Sequence, residues 1–198
     1  MTFKIQNTKI NISLPFCLMV TFLLIVDTSG LMLISLLTVI LHEIGHFVSM
    51  KRFGCAPKEL KLSFYGVFIV SPSVYSSDTD KVTVALFGPL FNLIALIFSS
   101  VLFMITNYSY FLVFALVNFV FGFFNILPVR GLDGGTVLLN VMTKKCGQVK
   151  GTLIFNIISA IVIFFMILCG IYILLNGFKN PTLLLTGIYL ALLNIIKL

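Results

Sequence analysis

Charge is what this chain has least of. Of its 198 residues, 10% are charged and 60% are apolar, whereas a soluble domain carries about 25% charged and 45–50% apolar residues. Too few polar groups remain to cover a surface facing water, which excludes a soluble enzyme, a disordered tail and a nucleic-acid module. Tryptophan is absent, so an interfacial aromatic belt would have to come from tyrosines such as Tyr65, Tyr75, Tyr108 and Tyr110. The four cysteines, Cys17, Cys55, Cys146 and Cys169, form no Cys-x-x-Cys pair. They read as apolar filler and exclude a paired-thiolate metal or redox motif. Residues 12–26 are not followed by a small-x-small cleavage site, so they read as mature structure.

What the chain does have is long apolar runs. A membrane-spanning helix needs about 20 mainly apolar residues. Six stretches qualify, at 11–27, 30–50, 82–105, 109–127 (continuing after a break to 142), 152–175 and 181–197. They predict an all-α polytopic membrane protein of about six spans, forming a single domain over residues 1–198. Twelve of the thirteen basic residues then fall on one side of the bilayer, Lys179 being the exception. The positive-inside rule places both termini in the cytoplasm, in the cell membrane. The net charge of +7 thus reads as orientation and attraction to anionic lipid, with no nucleic-acid partner. Between the second and third spans, Lys58 to Val70 alternates weakly, with Leu60, Leu62 and Phe64 against Lys61, Ser63 and Tyr65. Two readings stay open there: a short β-hairpin at the membrane surface turning near Tyr65-Gly66, or an interfacial loop. The open edge of a hairpin could bind an extended peptide by strand addition.

Ionisable residues inside a span are costly unless they are paired or functional. The only two histidines, with an acid between them, stand near the end of the second span in His42-Glu43-Ile44-Gly45-His46. Residues four apart share a helix face. His42 and His46 can therefore grip Zn²⁺ together, while Glu43 reaches a water as general acid and base. A catalytic zinc usually takes three protein ligands. With no third histidine, the third ligand is expected to be a carboxylate. Asp133 is the best candidate, with Glu59, Asp78 and Asp80 as weaker rivals and Asp27 on the opposite side; a turn or helix cap beside Gly134-Gly135 is the alternative role for Asp133. Pro128 and Gly131 are expected to break the fourth span, and Gly134-Gly135 to loosen the next turn. Irregular backbone at membrane depth is tolerated where it lines a watery cavity. Asn125 could hold a substrate carbonyl or stabilise an oxyanion, or make an interhelical hydrogen bond. Gly88-Pro89-Leu90-Phe91-Asn92 is read as opening the third span, with Gly88 permitting close helix approach, Pro89 in a first helical turn and Asn92 bonding the catalytic helix. Ser99, Ser100 and Asn118 read as ordinary interhelical contacts.

Taken together, His42-Glu43-Ile44-Gly45-His46, Gly88-Pro89-x-x-Asn92 and Asn125-x-x-Pro128 leading to Leu132-Asp133-Gly134-Gly135 resemble the site-2 protease family of intramembrane zinc metalloproteases. Order and spacing agree over about residues 30–142. The resemblance implies that His42, His46 and Asp133 bind zinc and that Glu43 is the general acid and base. It also implies cleavage of membrane-embedded or membrane-adjacent segments of a protein substrate, under an inhibitory or regulatory membrane partner. The compact bacterial branch, typified by the stage IV sporulation protease that processes pro-sigma-K, is the most similar in motif order. That branch often carries a nucleotide-sensing CBS domain, but neither a CBS nor a PDZ domain is expected here. It often has proline where this chain has Gly131 and arginine where it has Thr136, differences that bear on the substrate. A sigma-factor precursor or an anti-sigma factor is the expected substrate. The alternatives are maturation of a small peptide precursor, a non-catalytic membrane scaffold, and a metal transporter. The bulky spans one, five and six are expected to form a lateral gate for an unwound substrate.

Overall fold

The computed structural model describes residues 2–5, 8–55, 59–63, 66–70, 77–177 and 180–196. Its contacts divide the chain into two compact units, Met1–Gly122 and Phe123–Leu198, and each is described by itself.

The first unit opens with strands β1 (Thr2–Ile5) and β2 (Thr8–Ile12), followed by helices α1 (Leu14–Val26) and α2 (Leu31–Arg52). Strands β3 (Glu59–Ser63) and β4 (Gly66–Val70) then precede α3 (Asp78–Thr106) and most of α4 (Ser109–Ile126). Strands β3 and β4 pair antiparallel, so the segment after the second span is a hairpin and not a loop. The turn expected near Tyr65-Gly66 falls, at Tyr65, outside the described residues. Strands β1 and β2 form a second antiparallel hairpin, and β2 lies parallel to β3, giving one sheet in the order β1-β2-β3-β4. The first apolar run is therefore shorter than its composition implies. Asn11 and Ile12 belong to β2, Ser13 caps α1 through its hydroxyl, and Pro15 stands in the first turn, where its missing N–H costs nothing.

Between α1 and α2, Asp27 organises the turn. Its carboxylate accepts from the Ser29 amide at 2.9 Å, the Ser29 hydroxyl at 2.5 Å and the Met32 amide at 2.7 Å. These bonds, that from the Ser29 side chain foremost, hold its carboxyl below the usual carboxylate range. The third span begins earlier than expected. Helix α3 starts at Asp78, capped by Ser77, and Pro89 lies inside it instead of in its first turn. Asp78 and Asp80 complement the N-terminal end of that helix, and Asp78 also pairs with Lys81 at 3.0 Å.

In the second unit α5 (Asp133–Cys146), α6 (Gln148–Leu175) and α7 (Thr182–Ile196) follow a break at 127–132. Buried Val129, Ile163, Met166 and Leu190 form its core. The expected break after the fourth span is present, and the continuation to residue 142 is the separate helix α5.

Among the described residues four helices, α2, α3, α4 and α6, are long and apolar enough to cross a membrane, while apolar α1 and α7 have 13 and 15 residues. Outward faces carry large apolar side chains such as Phe98, Ile105, Phe164 and Phe165, all more than half exposed. The most completely enclosed side chains are mostly small and polar: Thr38, Ser49, Asn92, Ser99, Asn118 and Ser159. In a bilayer, apolar surface gains nothing by turning inward, and helices associate through small and hydrogen-bonding residues. The protein is therefore an all-α polytopic membrane protein carrying a small sheet.

Candidate metal centre

His42 and His46 lie on the buried face of α2, 3% and 7% exposed. Their Nε2 atoms are 3.1 Å apart. Two nitrogens each about 2.0–2.1 Å from one zinc ion, at a near-tetrahedral angle, would stand about 3.3 Å apart. Spacing thus fits the metal, and so does protonation. His46 Nδ1 lies 2.8 Å from the carbonyl oxygen of Val84. A carbonyl only accepts, so Nδ1 carries the hydrogen and Nε2 keeps its lone pair. His42 Nδ1 lies 2.6 Å from Asn92 Oδ1. The Asn92 amide is oriented by its other end, which donates to the carbonyl of Thr38 at 3.4 Å and to Asn118 Oδ1 at 2.9 Å. Asn92 Oδ1 therefore accepts from His42 Nδ1, and the His42 Nε2 lone pair is also presented. Two imidazole lone pairs held this close repel each other unless a cation lies between them, and neutral imidazoles fixed through their far nitrogens are the usual state of metal-ligating histidines. The residues present fit zinc.

Helix α3 supplies the close wall of this site. A Cβ at Gly88 would lie 2.5 Å from His46 Nε2 and 2.7 Å from His42 Cε1, and one at Gly45 would lie 2.4 Å from the Phe87 carbonyl oxygen. The two glycines let α2 and α3 meet backbone to backbone. Pro89, interior to α3, lacks the N–H that would bond the Ala85 carbonyl, next in the chain to the Val84 carbonyl that meets His46. It lies within the helix and does not start it. Phe121 of α4 meets the His42 ring edge-on, with centroids 5.1 Å apart. Glu43, beside His42 on α2, is half-buried.

The first unit thus brings together His42, His46, Gly88 and Asn92, while Asn125, Pro128, Asp133 and Gly134 belong to the second. Asn125 stands in the last turn of α4, half-buried. Past it the backbone folds tightly: the Leu127 amide donates to Phe124 O, Val129 to Leu127 O, and Leu132 to Val129 O. Gly131 has φ +95° in this turn, a value proline cannot reach. Asp133 opens α5. The next two glycines tighten the turn and do not loosen it. A Cβ at Gly134 would lie 1.8 Å from Ile126 O, and one at Gly135 would lie 2.1 Å from Val129 O. Arg130 clamps the same segment onto α6 by donating to Asn156 Oδ1 at 2.9 Å, with its guanidinium 5.4 Å from the centre of the Phe155 ring. The rival carboxylates have local duties: Glu59 accepts from Asn11, Asp78 pairs with Lys81, and Asp27 caps its turn.

Thr38 and the Val84 carbonyl went unnoticed in the sequence. Thr38 was accessible, since it precedes His42 by one turn on the same face. The Val84 carbonyl was not, because a main-chain acceptor has no side-chain signature.

These features define a membrane-embedded helical protein with a buried pair of histidines in an arrangement that suits a metal ion. Residues 104–169, from the end of α3 into α6 and including Asn125 and Asp133, match the family model described as Peptidase family M50. The chain is 28% identical over 181 residues to a zinc metalloprotease of Methanocaldococcus jannaschii, an alignment covering 85% of this chain and 53% of that relative. It therefore spans about half the length of the curated relative it matches. In fold it is similar to the solved site-2 protease from Methanocaldococcus jannaschii, with a TM-score of 0.67 at 24% identity, covering 96% of this chain and 91% of that one. The resemblance to the site-2 proteases carried by the motifs is borne out.

Proposed function

We propose that this protein is an intramembrane zinc endopeptidase that hydrolyses peptide bonds in membrane-embedded or membrane-adjacent segments of protein substrates. The observation that carries the reading is the His42–His46 pair, with both Nδ1 atoms committed to acceptors and both Nε2 lone pairs turned to one point. Asp133 is the third ligand in this reading, and residues 1–198 act as one protease domain. What supports Asp133 is the tight backbone that fixes the start of α5, the local duties of the other carboxylates, and the match of this stretch to the peptidase family model.

Zinc held by these residues would supply Lewis acidity, polarising the scissile carbonyl and making water acidic enough to attack near neutral pH. Glu43 takes the proton from the attacking water and returns it to the leaving amine. Asn125 donates its amide hydrogens to the substrate carbonyl as negative charge develops there. Enclosed small polar side chains around the histidines keep bulk water from competing for their lone pairs.

The protein lies in the cell membrane with both termini cytoplasmic, supported by the one-sided distribution of lysine and arginine. Its substrate class is a membrane-associated regulator, a sigma-factor precursor or an anti-sigma factor, or else a small peptide precursor cleaved during maturation. In the regulatory case a membrane partner would restrain it. Glu43→Gln tests the catalytic assignment. With a candidate substrate co-expressed, the variant should lose about 10²–10⁴-fold in cleavage rate while retaining zinc. Undiminished cleavage would overturn the reading, and metal bound without any Glu43-dependent cleavage would point to a scaffold or transporter.

A further inference from the structure

We propose that Asn118 and Thr38 are positioning residues that fix the tautomer of His42 through Asn92; the consequence for zinc rests on the zinc-protease reading. Neither residue belongs to the motifs, yet each is 0–1% exposed and they join helices α2, α3 and α4. An asparagine amide can turn over, exchanging its donor and acceptor ends, so its direction must be imposed. The chain begins at the Phe114 carbonyl, which only accepts and receives Asn118 Nδ2 at 2.9 Å. The Thr38 hydroxyl takes the same amide at 3.2 Å. Asn118 Oδ1 must then face Asn92, receiving its Nδ2 at 2.9 Å. That leaves Asn92 Oδ1 for His42 Nδ1 and puts the ring's lone pair on Nε2. Were the Asn92 amide reversed, its NH₂ would face Nδ1, the imidazole hydrogen would move to Nε2, and His42 could no longer ligate. His46 is held independently by a main-chain carbonyl that cannot turn over. The relay therefore controls one histidine and not the other.

The test uses the whole protein, metal-free, with ¹⁵N-labelled histidine. The chain has only two histidines, so His46 is an internal reference. In Asn118→Leu, and more weakly in the near-isosteric Thr38→Val, His42 should move from the Nδ1–H toward the Nε2–H tautomer while His46 keeps its Nδ1–H tautomer. Zinc affinity by chelator competition should fall about 10–100-fold. Ser99→Ala removes an equally enclosed hydroxyl bonded only within its own helix and should leave both signals in place. An unchanged His42 tautomer in both variants, or a change of tautomer at both histidines in both, overturns the proposal. A His42-specific shift without loss of zinc affinity upholds the relay and counts against the zinc reading.

Discussion

The two stretches that carry the candidate ligands are held by different means. Around His42 and His46 the ligands are fixed by side-chain and carbonyl hydrogen bonds among three helices, with Asn92, Asn118 and Thr38 all enclosed. Around Asp133 the work is done by the backbone, in a run of short turns against which Gly134 and Gly135 press without side chains. A histidine must be set in orientation and tautomer, which calls for directional partners. A carboxylate at the first position of a helix needs only its backbone placed, which tight packing achieves.

Gly88→Ala should break the histidine side most severely. Its Cβ would fall 2.5 Å from His46 Nε2, so the imidazole must move, and zinc affinity should drop by at least about 100-fold, beyond the effect of losing an outer hydrogen bond. Isothermal titration of zinc into the variant checks this. Gly134→Ala should break the other side through the backbone. Overpacking at 1.8 Å from a main-chain oxygen should cost about 1–3 kcal/mol or more, read as a lower Tm of the metal-free protein, whereas Gly88→Ala should be felt mainly in metal binding. Equal effects of the two variants on both readouts would erase the distinction.

The smallest effect is expected at Asp27, which serves neither region. Its pKa is lowered from 3.8 by the folded state, so its contribution is present above the unfolded value and is lost as pH falls through the lowered one. The Tm difference between the parent and Asp27→Ala should be steady from pH 7 to about 5 and shrink below about 4. A difference that grew on acidification would contradict the assignment of its bonds.

Much of the site was legible because its residues are rare. Two histidines and one acid in an apolar run carry a cost that only function explains, and their four-residue spacing places them on one helix face. The tautomer lock was less visible, since Asn118 in isolation resembles any interhelical amide and the orientation of an amide depends on partners far along the chain. Pro89 was misplaced because a proline reads as a helix start, yet residues 78–88 before it, capped by Ser77, continue the helix without a break. The N-terminal strands escaped because Ile12 runs directly into the apolar helix, and the parallel pairing of Lys9–Ile12 with Glu59–Leu62 joins segments that no local pattern connects.

The most direct test of the account is the zinc K-edge absorption spectrum of the purified membrane protein. It should show two imidazole nitrogens at about 2.0–2.1 Å together with oxygen ligands; one imidazole contribution should vanish in His46→Ala and an oxygen contribution should change in Asp133→Ala. A protein that binds no zinc, or a zinc shell without imidazole scattering, would contradict it.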